Sequence, residues 1–232
     1  MLQKIEVLDH GYLAHVDSWG SDEQIIEAAR MSTSKGFKGW GDSVHPGDEK
    51  LLRYLWDHKH STPFDMAGLT IEVQAPIFVF RQWHRHRTQS YNEMSARYTP
   101  LPDVNYLPTV ERLMVNSTIN KQAGVAAGSD DLTLESAEDF RVSLSLSYEA
   151  AEVVYQEALA AGVPKELARI HLPVARYSRM RASANLRNWL GFLTLRHDSH
   201  AQEEIRVYAE ALGQIIAAKF PRTWELFAEG LS

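Results

Sequence analysis

The spacing of apolar residues changes period several times along the chain, and each change marks an element. Lys4–Leu8 and Tyr12–Val16 are short β-prone runs around His10-Gly11 and predict a hairpin. Ser21 suits the N-cap of a helix in which Asp22, Glu23 and Glu27 favour the early turns and Ile25, Ile26 and Ala29 form the apolar stripe. Lys35–Gly47 holds four glycines and predicts a loop. A second helix is expected from about Asp48 to His58, with Leu51, Leu52 and Leu55 inward. Thr62-Pro63-Phe64-Asp65 reads as a helix start, with threonine as cap and proline at the first helical position. Leu69–Val73 alternates apolar and polar like a half-buried strand that Pro76 ends, and Ile77–His84 predicts a short apolar helix.

Residues 116–134 are rich in Asn, Ser, Thr, Gly, Ala and Asp and predict an exposed loop. Glu135–Ala161 has helical character up to Gly162 and Pro164, and Lys165–His171 is a short helix stopped before Pro173. Arg176–Ser183 predicts a strand, and Asn185–Arg196 and His200–Lys219 predict helices. In the last of these Ile205, Tyr208, Leu212, Ile215 and Ile216 keep helical spacing. The mixture predicts an α+β fold, a single domain over residues 1–232 with helices packed on an antiparallel sheet.

Composition narrows the chemistry. The 232 residues include no cysteine, which excludes disulfides, thiolate metal sites and a cysteine nucleophile. No stretch approaches the ~20 apolar residues that cross a bilayer, and Met1–Glu6 has no apolar core of a signal peptide. The sequence therefore predicts a cytoplasmic protein with no membrane partner. The net charge of −6 hides an asymmetry. Residues 81–97 and 169–196 together hold ten arginines and one acid, a charge of +9, which leaves −15 elsewhere. That concentration points to a local anion site rather than the broad basic face of a nucleic-acid binder. About half of these arginines are expected to be helix-surface or ion-pair residues.

Residues 85–98 read Arg-His-Arg-Thr-Gln-Ser-Tyr-Asn-Glu-Met-Ser-Ala-Arg-Tyr. Arg85 and Arg87 offer planar donor forks suited to phosphate or a ring carbonyl. His86 can donate, accept or stack, Glu93 can accept from a hydroxyl or ring N–H, and the small Ala96 lets a ligand approach the backbone. The plainer alternative is a solvated, ion-paired loop. Two rival functions also arise from the residues. His84 and His86, or His197 and His200 with Asp198 and Glu203, have spacings a metal hydrolase could use. Trp83, Tyr91 and Tyr98 among arginines could serve as stacking platforms for single-stranded nucleic acid.

Arg85-His86-Arg87 with Ser90, Asn92-Glu93, Ser95 and Arg97 resembles the signature of the flavin-dependent thymidylate synthases. His60-Ser61-Thr62-Pro63-Phe64 resembles that family's upstream His-x-Thr-Pro-Phe element, and Ala29-Arg30-Met31-Ser32 its early Ala-Arg-x-Ser. Ala168-Arg169-Ile170, Leu172-Pro173, Asn185-Leu186-Arg187 and Leu195 to Gln202 resemble its tail. The resemblance implies conversion of dUMP to dTMP, with the carbon from methylenetetrahydrofolate and reducing equivalents from NADPH through bound FAD. It implies a homotetramer with shared active sites, and no metal or nucleic-acid partner. The absence of cysteine agrees with a route that needs no thiol on the uracil ring.

By resemblance, the dUMP site comprises Gln82, Arg85, Glu93, Ser95, Ala96, Arg97, Arg169 and Arg196. Arg196 is its catalytic member and favours the N3-ionised uracil; Arg97 and Arg169 are the phosphate clamps. The positions around FAD are Ser32, Thr62, Arg85, His86, Arg87, Glu93, Asn185, Arg187, Leu195 and His200. Ser95, a lone serine without a positioned base, is assigned to binding. Thr62 and Asn185 also suit helix caps, and Leu195 a core position. Gly191 stands where some family members place a polar side chain near the flavin, so any contact there is through backbone. The three glycines at 36, 39 and 41 do not form Gly-x-Gly-x-x-Gly after a strand, which argues against a Rossmann crevice.

Overall fold

The structure, a computed structural model, describes residues 2–41, 44–45, 47–115 and 132–231. It groups into two compact units: 1–74, 79–93 and 179–232 form the first, and 75–78 with 94–178 the second. The loop expected over 116–134 lies outside the described residues except for its last three, and of these Leu134 already begins a helix.

The first unit carries a five-stranded sheet. Its strands are β1 (Lys4–Val7), β2 (Gly11–Trp19), β3 (Gly68–Pro76), β4 (Ser90–Glu93) and β5 (Tyr177–Asn185), in the order β1-β2-β3-β5-β4. The pairs β1–β2, β2–β3 and β4–β5 are antiparallel. The expected hairpin forms with Lys4 opposite Ala14 and Val7 opposite Gly11. Gly11 is required by a close approach, because a Cβ there would collide with the hydroxyl of Tyr208 and the carbonyl of Val7. On β3, Leu69, Ile71, Val73 and Ala75 are buried, as the alternation predicts. On β5, Met180, Ala182 and Ala184 are buried while Arg179 and Arg181 face outward, Arg181 3.4 Å from Glu72.

Helices cover this sheet. In α1 (Asp22–Arg30) the Ser21 hydroxyl accepts from Gln24 N, and Ile25 and Ile26 are buried. α2 (Glu49–Asp57) buries Leu52 and Leu55. α3 (Ile77–Trp83) follows β3 directly. α7 (Leu186–Arg196) is tied to β3 by Trp189 Nε1 donating to the Leu69 carbonyl at 3.0 Å. α8 (Glu203–Lys219) buries Ile205, Tyr208, Leu212, Ile215 and Ile216. It starts three residues later than the spacing predicts, since 197–201 is a turn. α9 (Pro221–Ala228) is an element the sequence reading missed. Its signal was present in Pro221 at the first turn, with Leu226 and Phe227 spaced to reach the core.

The second unit contains α4 (Val110–Met114), α5 (Leu134–Ala160) and α6 (Lys165–Ala168). α4, too, was not anticipated. Arg176 is buried here: its Nη1 lies 2.9 Å from Asp103 and 2.7 Å from Glu152, and Nη2 donates to the Leu101 carbonyl at 3.4 Å. Among the described residues no helix is long and apolar enough to cross a membrane.

Candidate active site

α3 ends at Trp83, and the chain turns through 84–89 into β4. That turn holds Arg85, His86 and Arg87, and it faces the C-terminal end of α7. There the Nε of Arg196 donates to Nε2 of His86 at 2.9 Å, and its Nη2 donates to the Gln82 carbonyl at 3.3 Å. The Gln82 side chain in turn donates to Gln202. Because His86 accepts at Nε2, a neutral ring carries its proton on Nδ1. Burial first, and the Arg196 charge second, push the His86 imidazole down to about 4. Burial also lowers the affinity of Arg196 for its proton. The result is a half-buried guanidinium held by two neutral acceptors. Among the described residues it makes no ion pair, and neither do Arg85, Arg87 and Arg169.

A second group in the same unit surrounds Asp65. Asn185 Nδ2 donates to it at 2.9 Å and Arg187 Nη1 lies 3.2 Å away, while Arg187 also donates to the Ser61 hydroxyl at 3.3 Å. Asn185 caps α7 through its side-chain oxygen, which accepts from Asn188 N at 2.9 Å. The cap expected at Thr62 is corrected. Thr62 is the first residue of a 3-10 turn, Thr62–Met66, whose cap position is Ser61, and Ser61, with helical rather than extended backbone, makes no capping bond there; its hydroxyl accepts from Arg187. Thr62 instead lines a small recess with Ala29, His60 and Ser61.

A cavity of about 950 Å³ opens beside this group. Leu55, Trp56, Phe64, Leu190 and Phe227 give it apolar walls, and Lys59, Arg187 and Arg206 give it cations. Gly191 lines it as well, with nothing within 4 Å of a would-be Cβ. Leu195 is 61% exposed, so its core reading is overturned. His200 is exposed and its Nδ1 is 2.8 Å from Asp198, in the turn after α7 rather than on a helix. Ser32 sits in a 3-10 turn, Met31–Thr33, with its hydroxyl on the Ala29 carbonyl at 3.2 Å. Glu93 is exposed at the end of β4, opposite Met180.

In the second unit Ala96 is buried, and the Ser95 hydroxyl accepts from Arg97 N at 3.3 Å. No base is bonded to that hydroxyl among the described residues, in keeping with a binding role. Arg97 lies 3.6 Å from Glu166, and Arg169 opens the turn Arg169–His171.

The reading from residues missed three participants. Asp65 grips both Asn185 and Arg187, Gln202 bonds Gln82, and Tyr91 donates to the carbonyls behind His86. The sequence analysis offered Tyr91 only as a stacking ring, and β4 is too short for its pattern to reveal a hydroxyl turned back toward the 83–86 turn. Of the three rings in the stacking-platform rival, Trp83 is fully buried and bonded to Gln89, Tyr91 turns its hydroxyl inward, and Tyr98 alone is largely exposed. No group of three or more His, Cys, Asp or Glu that could hold a metal occurs among the described residues.

An unneutralised guanidinium beside a donor-rich turn is chemistry that suits an anionic group. Residues 15–222 match the family described as thymidylate synthase complementing protein. A flavin-dependent thymidylate synthase of Thermosipho africanus is 40% identical over 222 residues, covering 96% of this chain and 92% of that one. One from Thermosipho melanesiensis is 41% identical over 224 residues, covering 97% and 93%. The crystal structure of the UMP/dUMP methylase PolB from Streptomyces cacaoi bound with 5-Br dUMP superposes with a TM-score of 0.81 at 34% identity, covering 97% of both chains. The chain belongs to the flavin-dependent thymidylate synthase family.

Proposed function

We propose that this protein converts dUMP to dTMP, taking the carbon from methylenetetrahydrofolate and reducing equivalents from NADPH through bound FAD. The observation that carries the reading is the half-buried, unpaired Arg196, aimed by His86 and the Gln82 carbonyl. A fixed cation with no carboxylate partner stabilises negative charge that develops on a pyrimidine ring, and its worth rises as water is excluded. In this reading Arg196 contacts the uracil and favours its N3-ionised form. Because the Arg196–His86 bond uses a lone pair of a neutral imidazole, it orients the cation without cancelling it.

The dUMP-binding role falls to Gln82, Arg85, Glu93, Ser95, Ala96, Arg97, Arg169 and Arg196. Arg97 and Arg169 are the phosphate clamps. The donor set suits FAD: Arg85 and Arg87 have no carboxylate partner among the described residues, as a pyrophosphate needs, and the Asn185–Arg187 pair is held rigid on Asp65. Ser32, Thr62, His86, Glu93, Leu195 and His200 complete the proposed contacts. When bound, reduced flavin supplies the hydride that turns a methylene group into a methyl group, which removes the need for a cysteine nucleophile. The protein's own task is to bind, orient and polarise. The whole of 1–232 acts as one domain in this reading, and the working form is a homotetramer with shared sites. Support for assembly comes from α5, which leaves Leu134, Phe140, Val142, Leu146, Val153 and Val154 exposed.

The test is direct. The purified protein should absorb near ~450 nm from bound flavin and form dTMP only when dUMP, methylenetetrahydrofolate and NADPH are all present. A colourless protein that cannot be reconstituted with FAD, or one that forms no dTMP after reconstitution, overturns the reading.

A further inference from the structure

The carbonyls that end α3 take bonds from outside the helix. The Gln82 carbonyl accepts from Arg196, as described. The hydroxyl of Tyr91 lies 2.6 Å from the His86 carbonyl and 3.1 Å from the Trp83 carbonyl. A phenol has one proton to give, so the shorter contact at His86 is the main bond. Tyr91 is itself fixed. It lies on β4 opposite Ala182 of β5, and its ring meets the edge of His84 at 4.8 Å. Burial pushes its hydroxyl up to about 12, so it stays a donor at any working pH.

His86 has few other constraints. Among the described residues its ring takes one hydrogen bond, from Arg196, and one ring contact, with Phe192 at 4.8 Å. Ring direction therefore follows from the backbone at 86, which is held inside its turn by His86 N donating to the Trp83 carbonyl at 3.0 Å and from outside by Tyr91. The path runs from the β4–β5 ladder, through a phenol, to a carbonyl, an imidazole and a guanidinium.

We propose that Tyr91 is a positioning residue for Arg196, acting through the His86 backbone and imidazole to aim the guanidinium at the uracil. The inference rests on the reading of Arg196 as the uracil contact. Without the hydroxyl the 83–86 turn loses its outside bond, the His86 ring turns away from Arg196, and the cation loses its fixed aim.

Tyr91→Phe in the FAD-loaded protein tests this, because it keeps the ring and removes only the hydroxyl. Nitrogen-15 spectra of the His86 side chain should show one tautomer in the wild type, with Nε2 unprotonated, and averaging of two tautomers in the variant. The affinity for dUMP should fall about five- to tenfold, the scale of one hydrogen bond, while the thermal midpoint moves little. Placing 4-aminophenylalanine at position 91 restores a donor and should restore both readouts. An unchanged His86 spectrum overturns the proposal, and so does a changed spectrum with unchanged dUMP affinity. If Tyr91→Phe folds poorly, Tyr91→Leu is the second hydroxyl-free variant, with the same expected outcomes. If the wild type itself binds no dUMP, the functional reading fails, and the His86 spectrum alone decides whether Tyr91 sets that ring.

Discussion

Arg176 and Arg196 both leave bulk water, and the two are held in opposite ways. Arg176, in the second unit, is 1% exposed and faces two carboxylates, Asp103 and Glu152. Its charge is cancelled where it sits. Among the described residues Arg196, in the first unit, has only an imidazole nitrogen and a carbonyl as partners. Its charge remains available. Paired, a buried guanidinium is structure; aimed by neutral acceptors, it is a tool for stabilising an anion.

The largest expected effect follows from that difference. Arg196→Ala should lower dTMP formation by about 10²–10³-fold or more, the scale of losing one preorganised charge at a reacting centre. Flavin should stay bound and the unfolding midpoint should barely move, because no buried carboxylate is stranded. Full activity in this variant, measured as dTMP formed from dUMP, would remove the assigned role.

Arg176→Met should do the reverse. It strands Glu152, whose side chain is 15% exposed, and the cost of breaking such a pair is about 3–5 kcal/mol. For a chain of this size that lowers the melting temperature by about 10 °C. Activity per folded molecule should hold. A variant as stable as the wild type would mean that Arg176 is not the structural member of the comparison.

Both arginines were legible in the sequence as members of one arginine-rich window, and nothing there separated them. Asp103 and Glu152 are distant in sequence from Arg176, and only the fold brings them to it. Arg196 was singled out by resemblance, not by pattern. The elements themselves were easier to read. β3 and α7 carry strong apolar periodicity and a cap, while α4 and β4 are too short for a period to show. The Ser61 position illustrates a different limit. Local sequence placed a cap at Thr62, yet the turn starts one residue earlier than that cap requires, with Ser61 in the cap position and its hydroxyl accepting from Arg187, 126 residues away.

The pH response sharpens the comparison further. His86 titrates at about 4 in the folded chain and at its ordinary 6.5 when unfolded. Between those values the unfolded chain binds the extra proton, so stability is complete above pH 6.5 and declines as pH falls toward 4. Partial exposure of the ring keeps the slope well under the ~1.4 kcal/mol per pH unit of one full proton. Denaturant midpoints measured across this window should flatten in His86→Gln. The same window should spare the Arg176 group, where no histidine is paired among the described residues. An equally steep slope in His86→Gln would place the acid sensitivity elsewhere.

The smallest effect concerns the helix that carries Arg196. Arg176 is held by its partners, whereas the place of Arg196 depends on α7 keeping its last turn. Gly191 weakens that helix from within: it is exposed, and a methyl group there would meet nothing within 4 Å. Gly191→Ala should therefore stabilise the protein by about 0.5–1 kcal/mol, read as a rise of a few degrees in the melting temperature. Gly191 also lines the cavity beside Arg187, so flavin retention gives a second readout. Higher stability with unchanged flavin affinity would make the glycine a dispensable gap in α7. Higher stability with weakened flavin binding would mean that the open space at 191 is needed for the cofactor, and that α7 trades helix strength for access along its cavity-lining face. A destabilised Gly191→Ala would break the comparison at its base, because the helix holding Arg196 would then be under a constraint that its free volume does not reveal.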